Sequence, residues 1–194
     1  AGRWGKNWIR ETYSKTILHT VCDRDKATLQ KLKQSYLNIK TAKSYEDVLM
    51  DRKIKAIIIA TPSDLHFEFA RKAILAGKDV LVEKPMTINT DEAQELKELA
   101  DKHHAILMVG HIVRYNVGIQ KVKEMVKDGK IGNIEHISCT RQSIGAFNNE
   151  SVIWDLAPHD LSVVMDILEG LPETVEATGS DCVGRKVIDA ATVI

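Results

Sequence analysis

The chain has 194 residues, which is enough for one large domain or two small ones. Lysine and arginine together number 27, as do aspartate and glutamate, so the balanced charge gives no reason to expect nucleic acid or an anionic membrane as main partner. No apolar run approaches the roughly 20 residues that a membrane-spanning helix needs.

Helices and strands are predicted to alternate along the first 110 residues. In chain order the patterns predict a helix over 6–13, a strand over 16–22, a helix over 25–36, a short helix capped by Ser44, a strand over 56–60, a helix over 64–76, a strand over 80–82, a helix capped by Thr90 and ending near 102, and a strand over 105–109. The continuous β-branched run 56–60 is typical of a strand buried on both faces. Such alternation favours a parallel, doubly wound α/β sheet.

The pattern changes after Gly110. The sequence there predicts a helix over 117–127, an alternating strand over 134–141, a polar loop, a helix over 156–168, and strands over 174–179 and 190–194, the last cut short. Helices and strands without regular crossovers indicate a second domain of the α+β class. The alternating strand is expected to cover a cleft or to pair with another subunit, so a homo-oligomer is expected.

A partial glycine motif opens the chain. Gly2 and Gly5 resemble the end of a G-x-G-x-x-G loop, whose glycines let backbone amides approach a pyrophosphate. The first strand and first glycine of that motif are expected upstream of Ala1, although a Gly-x-x-Gly pair alone fits a plain turn equally well. Asp23 ends the next strand, where a carboxylate would bind ribose hydroxyls. The alternative is that Asp23 caps the following helix.

The same carboxylate bears on which dinucleotide would bind. A negative charge at Asp23 disfavours the 2′-phosphate of NADP, so NAD is expected. Arg24 leaves NADP open, since its guanidinium could pair with such a phosphate.

Lys84 is the most informative single residue, because it follows an apolar strand directly. Lysine is rarely buried without a partner, and parallel sheets bind ligands at the carboxyl ends of their strands. A simple pair with Glu83 is disfavoured, because neighbouring strand residues point to opposite faces. Lys84 is therefore interpreted as a functional residue.

Asp155 and His159 form a second candidate pair. Residues four apart share one helix face, so both could face one cleft, and Pro158 is tolerated in a first helical turn. The alternatives are that Asp155 only caps the helix and that His159 is a half-buried histidine with its bonds satisfied. His66 and His111 likewise fit either a ligand contact or, respectively, a surface and a linker position.

Four segments carry these residues: Ala60 to His66, Glu83 to Pro85, Gly110 to Asn116 and Asp155 to Asp160. With Gly2, Gly5 and Asp23, in this order and spacing, they closely resemble the Gfo/Idh/MocA family of nicotinamide-dependent oxidoreductases. The resemblance extends from residue 1 to about residue 180. It implies a Rossmann domain over 1–112, lacking its first strand, and an incomplete α+β substrate-binding domain over 113–194 with a predominantly antiparallel sheet.

The resemblance also implies roles for individual residues. The cofactor-binding set is Gly2, Arg3, Trp4, Gly5, Asp23, Arg24, Thr61, Pro62, His66, Glu83 and Lys84. Arg114, Asp155 and His159 would contact the substrate, and Lys84, Asp155 and His159 would be catalytic, with no metal. His159 would move the proton while Lys84 stabilises the alkoxide, or Lys84 would itself be the base.

The expected reaction is hydride transfer between the nicotinamide and a ring hydroxyl or keto carbon of a sugar, cyclitol or nucleotide-linked sugar. Residues 154–160 are most similar to members that act on nucleotide-activated sugars. The alternative is a sensor or regulatory protein that binds the dinucleotide without chemistry; the presence of Lys84, Asp155 and His159 favours the enzyme.

The three cysteines, Cys22, Cys139 and Cys182, lie far apart and have no metal-ligand spacing. Reduced thiols are therefore expected, which fits a cytoplasmic location.

Overall fold

The computed structural model describes residues 2–142 and 151–194, apart from the side chain of Arg3. Its contacts divide the chain into two compact units, Ala1–Gly110 and His111–Ile194. No helix among the described residues has the length and apolar character needed to cross a membrane.

The first unit alternates helices and strands as expected. Its elements are α1 (Arg3–Ser14), β1 (Thr20–Cys22), α2 (Lys26–Ser35), β2 (Lys40–Ala42), α3 (Tyr45–Met50), β3 (Ala56–Ile59), a 3-10 helix (Ser63–Leu65), α4 (His66–Leu75), β4 (Asp79–Val82), α5 (Thr90–His103) and β5 (Leu107–Val109). All strand pairs are parallel: β1 with β2, and β3 with β4 and then β5. The Rossmann-like parallel architecture is thereby confirmed.

The register of the three-stranded sheet brings three strand ends to one level. Ile59 lies opposite Val82, and Val82 lies opposite Val109. The segments that follow β3, β4 and β5 therefore leave the sheet side by side, at the carboxyl edge where α/β folds bind ligands.

The main core lies between this sheet and two helices. Val82 of β4, Ala70 and Ile74 of α4, and Leu96 of α5 are completely buried. The expectation that β3 is buried on both faces is wrong, because Ala56 and Ile58 are exposed while Ile57 and Ile59 are buried. The described helices cover only the odd-numbered face of this strand.

A second cluster packs the helices α1 and α2 against β1. Ile9 of α1 packs with Val21 of β1 and with Leu29 and Leu32 of α2. The helix α1 is therefore anchored to the β1–α2 part of the unit.

The helix caps confirm one expectation and correct another. Ser44 caps α3 by accepting a hydrogen bond from the Asp47 amide, as expected. The cap of α5 is Asn89 rather than Thr90: Asn89 has extended backbone angles and its Oδ1 accepts from the Asp91 amide at 2.8 Å, whereas Thr90 is already helical.

A buried lysine binds the main chain just after α3. Lys78 is only 6% exposed, and its Nζ donates to the carbonyl oxygens of Asp51 and Ile54, each at 2.8 Å. These bonds satisfy the ammonium in a place where an unpaired charge would be costly.

The second unit contains α6 (Val117–Lys127), α7 (Val152–Asp155), α8 (Ala157–Leu168), β6 (Ala177–Ser180) and β7 (Ala190–Val193), with a 3-10 helix at Ile112–Tyr115. The pair β6–β7 is antiparallel, which confirms antiparallel strands in this unit.

The strand predicted over 134–141 is wrong. Those residues form neither helix nor strand, since alternation alone supplies no neighbouring strand to complete a ladder. The expectation of a homo-oligomer was based on this strand, so that argument for it no longer holds. Most of the predicted polar loop, residues 143–150, lies outside the described residues.

The three cysteines are exposed free thiols.

Candidate functional site

The helix α1 follows Gly2 directly and contains the rest of the glycine motif. The helix begins at Arg3, three residues earlier than predicted, so Trp4 and Gly5 lie in its first turn rather than in a preceding loop. Gly2 is the N-cap and supplies no side-chain cap. First-turn amides without a side-chain cap favour an anionic ligand.

Asp23 follows β1 and is not the cap of α2. The cap is Asp25, whose carboxylate accepts from the amides of Ala27 and Thr28. Asp23 Oδ1 instead accepts from the Asp25 amide at 2.8 Å, and its own amide donates to Ala42 of β2. The capping alternative for Asp23 is therefore wrong, and its half-buried carboxylate remains a ribose-binding candidate. Arg24 beside it is exposed.

His66 connects the segments that follow β3 and β4. It is 1% exposed; its Nδ1 lies 2.7 Å from the Pro85 carbonyl oxygen and its Nε2 lies 2.9 Å from that of Thr61. With both ring nitrogens directed at the main chain, His66 holds the Thr61–Pro62 turn against Pro85. The surface alternative is wrong for this residue, and its predicted contact with a cofactor stays a prediction.

Glu83 and Lys84 leave the end of β4 in opposite environments. The Glu83 side chain is buried, and its Oε1 accepts from the indole Nε1 of Trp8 at 2.6 Å. Lys84 is half-buried, its amide lies 3.3 Å from Glu83 Oε2, and the Lys84–Pro85 peptide is cis. Gly110, at the end of β5, leaves room for this carboxylate, because a Cβ there would lie 3.2 Å from Glu83 Oε2.

The fold thus brings three predicted segments together: Thr61–Pro62, Glu83–Lys84 and Gly110. Gly2 and Asp23 lie elsewhere in the same unit, on α1 and after β1. The Thr61 hydroxyl is shielded from solvent and has no hydrogen-bond partner among the described residues. The first turn of α1, which lacks a side-chain cap, the Asp23 carboxylate and this hydroxyl fit the phosphate, ribose and polar groups of a dinucleotide.

In the second unit, Asp155 ends α7 and His159 lies in the first turn of α8, so the pair spans two short helices instead of one. Leu156 between them is the N-cap of α8, so Asp155 does not cap it. Pro158 stands in the first turn, as expected. The half-buried His159 main chain accepts from the Ser162 hydroxyl at 2.8 Å.

Arg114 lines a cavity of about 660 Å³ within this unit, together with His111, Lys123, Leu161, Met165 and Asp166. The Asp166 side chain is 7% exposed and accepts from both Arg114 and Lys123. The Lys123 ammonium and then the Arg114 guanidinium hold the pKa of Asp166 below its usual value. Arg114 is therefore fixed on one side by Asp166.

Sequence reasoning missed Trp8 and Asp166. Both act through partners distant in sequence: Glu83 lies 75 residues from Trp8, and Arg114 lies 52 residues from Asp166. The available signals were weak: a donor-bearing aromatic on the helix after the glycines, and an acid inside an otherwise apolar helical stretch.

Comparisons with known proteins match both parts of the chain to one family of oxidoreductases. The model of an oxidoreductase family with an NAD-binding Rossmann fold, GFO_IDH_MocA, matches residues 1–111, and the GFO/IDH/MocA C-terminal domain model matches residues 119–194. A UDP-N-acetylglucosamine 3-dehydrogenase of Acidithiobacillus ferrooxidans is 33% identical over 144 residues, which cover 72% of this chain and 44% of that protein.

A scyllo-inositol 2-dehydrogenase (NADP(+)) of Bacillus subtilis is 27% identical and aligns with 76% of this chain and 44% of its own length. The chain therefore spans less than half the length of these two relatives. An NAD-binding protein from Listeria innocua has a similar structure, with a TM-score of 0.87 and 26% identity over 99% of this chain and 60% of that chain. The chain belongs to the Gfo/Idh/MocA family of oxidoreductases with an NAD-binding Rossmann fold.

Proposed function

We propose that this protein is a nicotinamide-dependent dehydrogenase that oxidises or forms a secondary alcohol on a sugar, cyclitol or nucleotide-linked sugar. The observation that carries the proposal is the position of Lys84. It follows the middle strand of the parallel sheet. The Pro85 carbonyl after it is connected through His66 to Thr61, and the Glu83 backbone before it packs against Gly110. A cation held at the carboxyl edge of such a sheet suits a reaction that creates an alkoxide.

The cofactor-binding residues of the proposal are those of the first unit. Gly2 and the first turn of α1, with Arg3, Trp4 and Gly5, would bind the pyrophosphate, and Asp23 the adenosine ribose. Thr61, Pro62, Glu83 and Lys84 would form the nicotinamide end, with His66 behind them. When bound, the nicotinamide supplies the hydride acceptor or donor. NAD is the proposed cofactor, with NADP use dependent on Arg24.

Side chains of this chain would transfer the hydroxyl proton and stabilise the negative charge of the alkoxide. Lys84 would donate a charge-assisted hydrogen bond to the substrate oxygen, and His159 would take or return the hydroxyl proton. Asp155 and Arg114 would orient the substrate. Histidine suits the proton transfer because its ordinary pKa lies near neutral pH.

The substrate class is proposed from the relatives. One acts on UDP-N-acetylglucosamine and another on scyllo-inositol, according to their names. The similarity of residues 154–160 to members that use nucleotide-activated sugars favours the first class. We also propose that the two compact units correspond to a cofactor domain and a substrate domain.

The test is turnover with NAD across UDP-N-acetylglucosamine, inositols and free aldoses, followed by absorbance of the reduced cofactor. Lys84→Ala and His159→Ala should each lower kcat by about 10²–10⁴-fold. Lys102→Ala and His103→Ala, at the exposed end of α5, are matched controls that should keep full activity. Unchanged turnover in both site variants would overturn the proposal. Tight NAD binding without hydride transfer to any substrate would support the sensor alternative.

A further inference from the structure

One hydrogen bond connects the two packing clusters of the first unit. Trp8 lies on α1, whose neighbouring residue Ile9 is buried in the β1–α2 cluster. Its indole Nε1 donates to Glu83 Oε1 at 2.6 Å, at the end of β4 in the main core. The side chain of Trp8 therefore links α1 to the segment that contains Lys84.

Glu83 depends strongly on this bond. Glu83 is 6% exposed, and among the described residues the other donor near its carboxylate is the Lys84 amide at 3.3 Å, which is long for a hydrogen bond. A buried carboxylate needs donors, and an indole N–H can only donate. A Cβ at Gly110 would intrude on Oε2, so the carboxylate also has little room to move.

We propose that Trp8 is a positioning residue that acts through Glu83 to fix Lys84 relative to α1. The backbone of Glu83 continues directly into Lys84, so an anchored carboxylate limits where the lysine can be placed. Neither Trp8 nor Glu83 needs to touch the substrate for this role. The effect on catalysis rests on the proposed function, whereas the anchoring itself does not.

The anchoring is tested on the whole protein without any ligand. Trp8→Phe keeps an aromatic ring and removes the N–H donor. Amide hydrogen exchange over residues 83–87 should then accelerate by about tenfold or more, because the buried carboxylate loses its indole donor. Tyr13→Phe, which removes a polar atom from another aromatic side chain of α1, is the matched control and should leave this segment unchanged.

A second, spectroscopic measurement distinguishes loss of the Trp8–Glu83 hydrogen bond from a simple loss of packing. The indole N–H resonance that disappears in Trp8→Phe should lie downfield, as expected for a bond to a carboxylate, and should move upfield in Glu83→Gln. An indole signal that does not respond to Glu83→Gln, or equal exchange rates in Trp8→Phe and the parent, would overturn the proposal.

The catalytic consequence is tested by a double-mutant cycle. Trp8→Phe should lower kcat by about tenfold while the KM for NAD changes by less than about threefold. In a Glu83→Gln background the same change should cost less than about threefold, because Trp8 acts through the charge of Glu83. Additive losses would contradict action through Glu83. If the parent shows no turnover with NAD, the proposed function fails, and the exchange and resonance measurements still decide the anchoring.

Discussion

A side chain with almost no solvent exposure can shape a ligand site through the main chain. Both ring nitrogens of His66 face carbonyl oxygens, on Thr61 and on Pro85. A neutral imidazole donates at one nitrogen only, whereas an imidazolium donates at both. The turn after β3 and the segment after β4 are thus held to the same ring and should move together.

Cofactor preference belongs to the residue scale, because it depends on Asp23. Asp23→Ser removes the charge that would repel a 2′-phosphate and keeps a small polar group. The ratio of kcat/KM for NADP to that for NAD should rise about tenfold, which corresponds to about 1.4 kcal/mol. Steady-state kinetics with both cofactors measures this ratio.

The control for Asp23→Ser is the same substitution at Asp25, the N-cap of α2. Asp25→Ser replaces one good N-cap residue with another and should leave the NADP to NAD ratio unchanged. An unchanged ratio in Asp23→Ser would assign cofactor choice to Arg24 or to another group.

At the scale of elements, the helix that follows Lys84 begins with an asparagine cap. Asn89 Oδ1 accepts from the Asp91 amide, while the main-chain oxygen of Asn89 accepts from the Thr87 hydroxyl at 2.6 Å. Thr87 is itself buried. The start of α5 is therefore fixed by one bond from its first turn to Asn89 and one bond within the loop that precedes it.

This cap gives a prediction at the scale of one helix. Asn89→Ala should lower the free energy of unfolding by about 1 kcal/mol, because a first-turn amide loses its acceptor. Thr90→Ala should change it by less than about 0.5 kcal/mol, since Thr90 is inside the helix and alanine is a better helix former. Urea unfolding measures both variants. A larger loss for Thr90→Ala would contradict the cap assignment.

Local signals in the sequence predicted most elements of the first unit and the helix α6 of the second. The apolar runs of β3 and β4, the Ser44 cap and the helix over 117–127 all depend on residues near each other in the chain. The strand over 134–141 failed because a strand also needs a neighbour, which periodicity cannot supply.

The candidate site divides in the same way. Lys84 was predicted as a site residue because it follows its strand directly, so a local pattern was sufficient for that prediction. The Trp8–Glu83 bond and the Asp166 ion pairs could not be predicted, because the partners are brought together only by the tertiary fold.

At the scale of the whole molecule, the two units differ in how much they bury. Both clusters of buried apolar residues belong to the first unit. In the second unit Val163 is the one buried hydrophobic residue within the described ranges, and Leu161, Met165 and Leu168 of α8 are exposed. A small apolar core gives little stability, so polar links such as those of Asp166 matter more there.

The pH dependence of stability should follow from Asp166. Its pKa is lowered by Lys123 and Arg114, so its contribution is complete above the ordinary value of about 4 and is lost as the pH falls through the lowered value. Asp166→Asn should lower the free energy of unfolding by about 2 kcal/mol at pH 7, because two cations lose a charged partner. The difference from the parent should shrink in strong acid.

Urea titrations from neutral to acid pH, with Trp154 as the fluorescent probe of the second unit, measure this difference. Asp128→Asn is the matched control, since its pair with Lys130 is more than half exposed on both sides and should contribute less than about 1 kcal/mol. A constant difference between Asp166→Asn and the parent across the acid range would contradict the assignment.

The buried ammonium of Lys78 has a consequence for covalent chemistry. Amine-reactive reagents need a deprotonated, accessible nitrogen, and both main-chain acceptors of Lys78 would have to be released before one could reach it. Exposed lysines such as Lys102 need no such opening. Acylation of Lys78 is therefore limited by how often its side chain leaves the carbonyl oxygens of Asp51 and Ile54. The rate of its labelling should thus report the rate at which this part of the first unit opens.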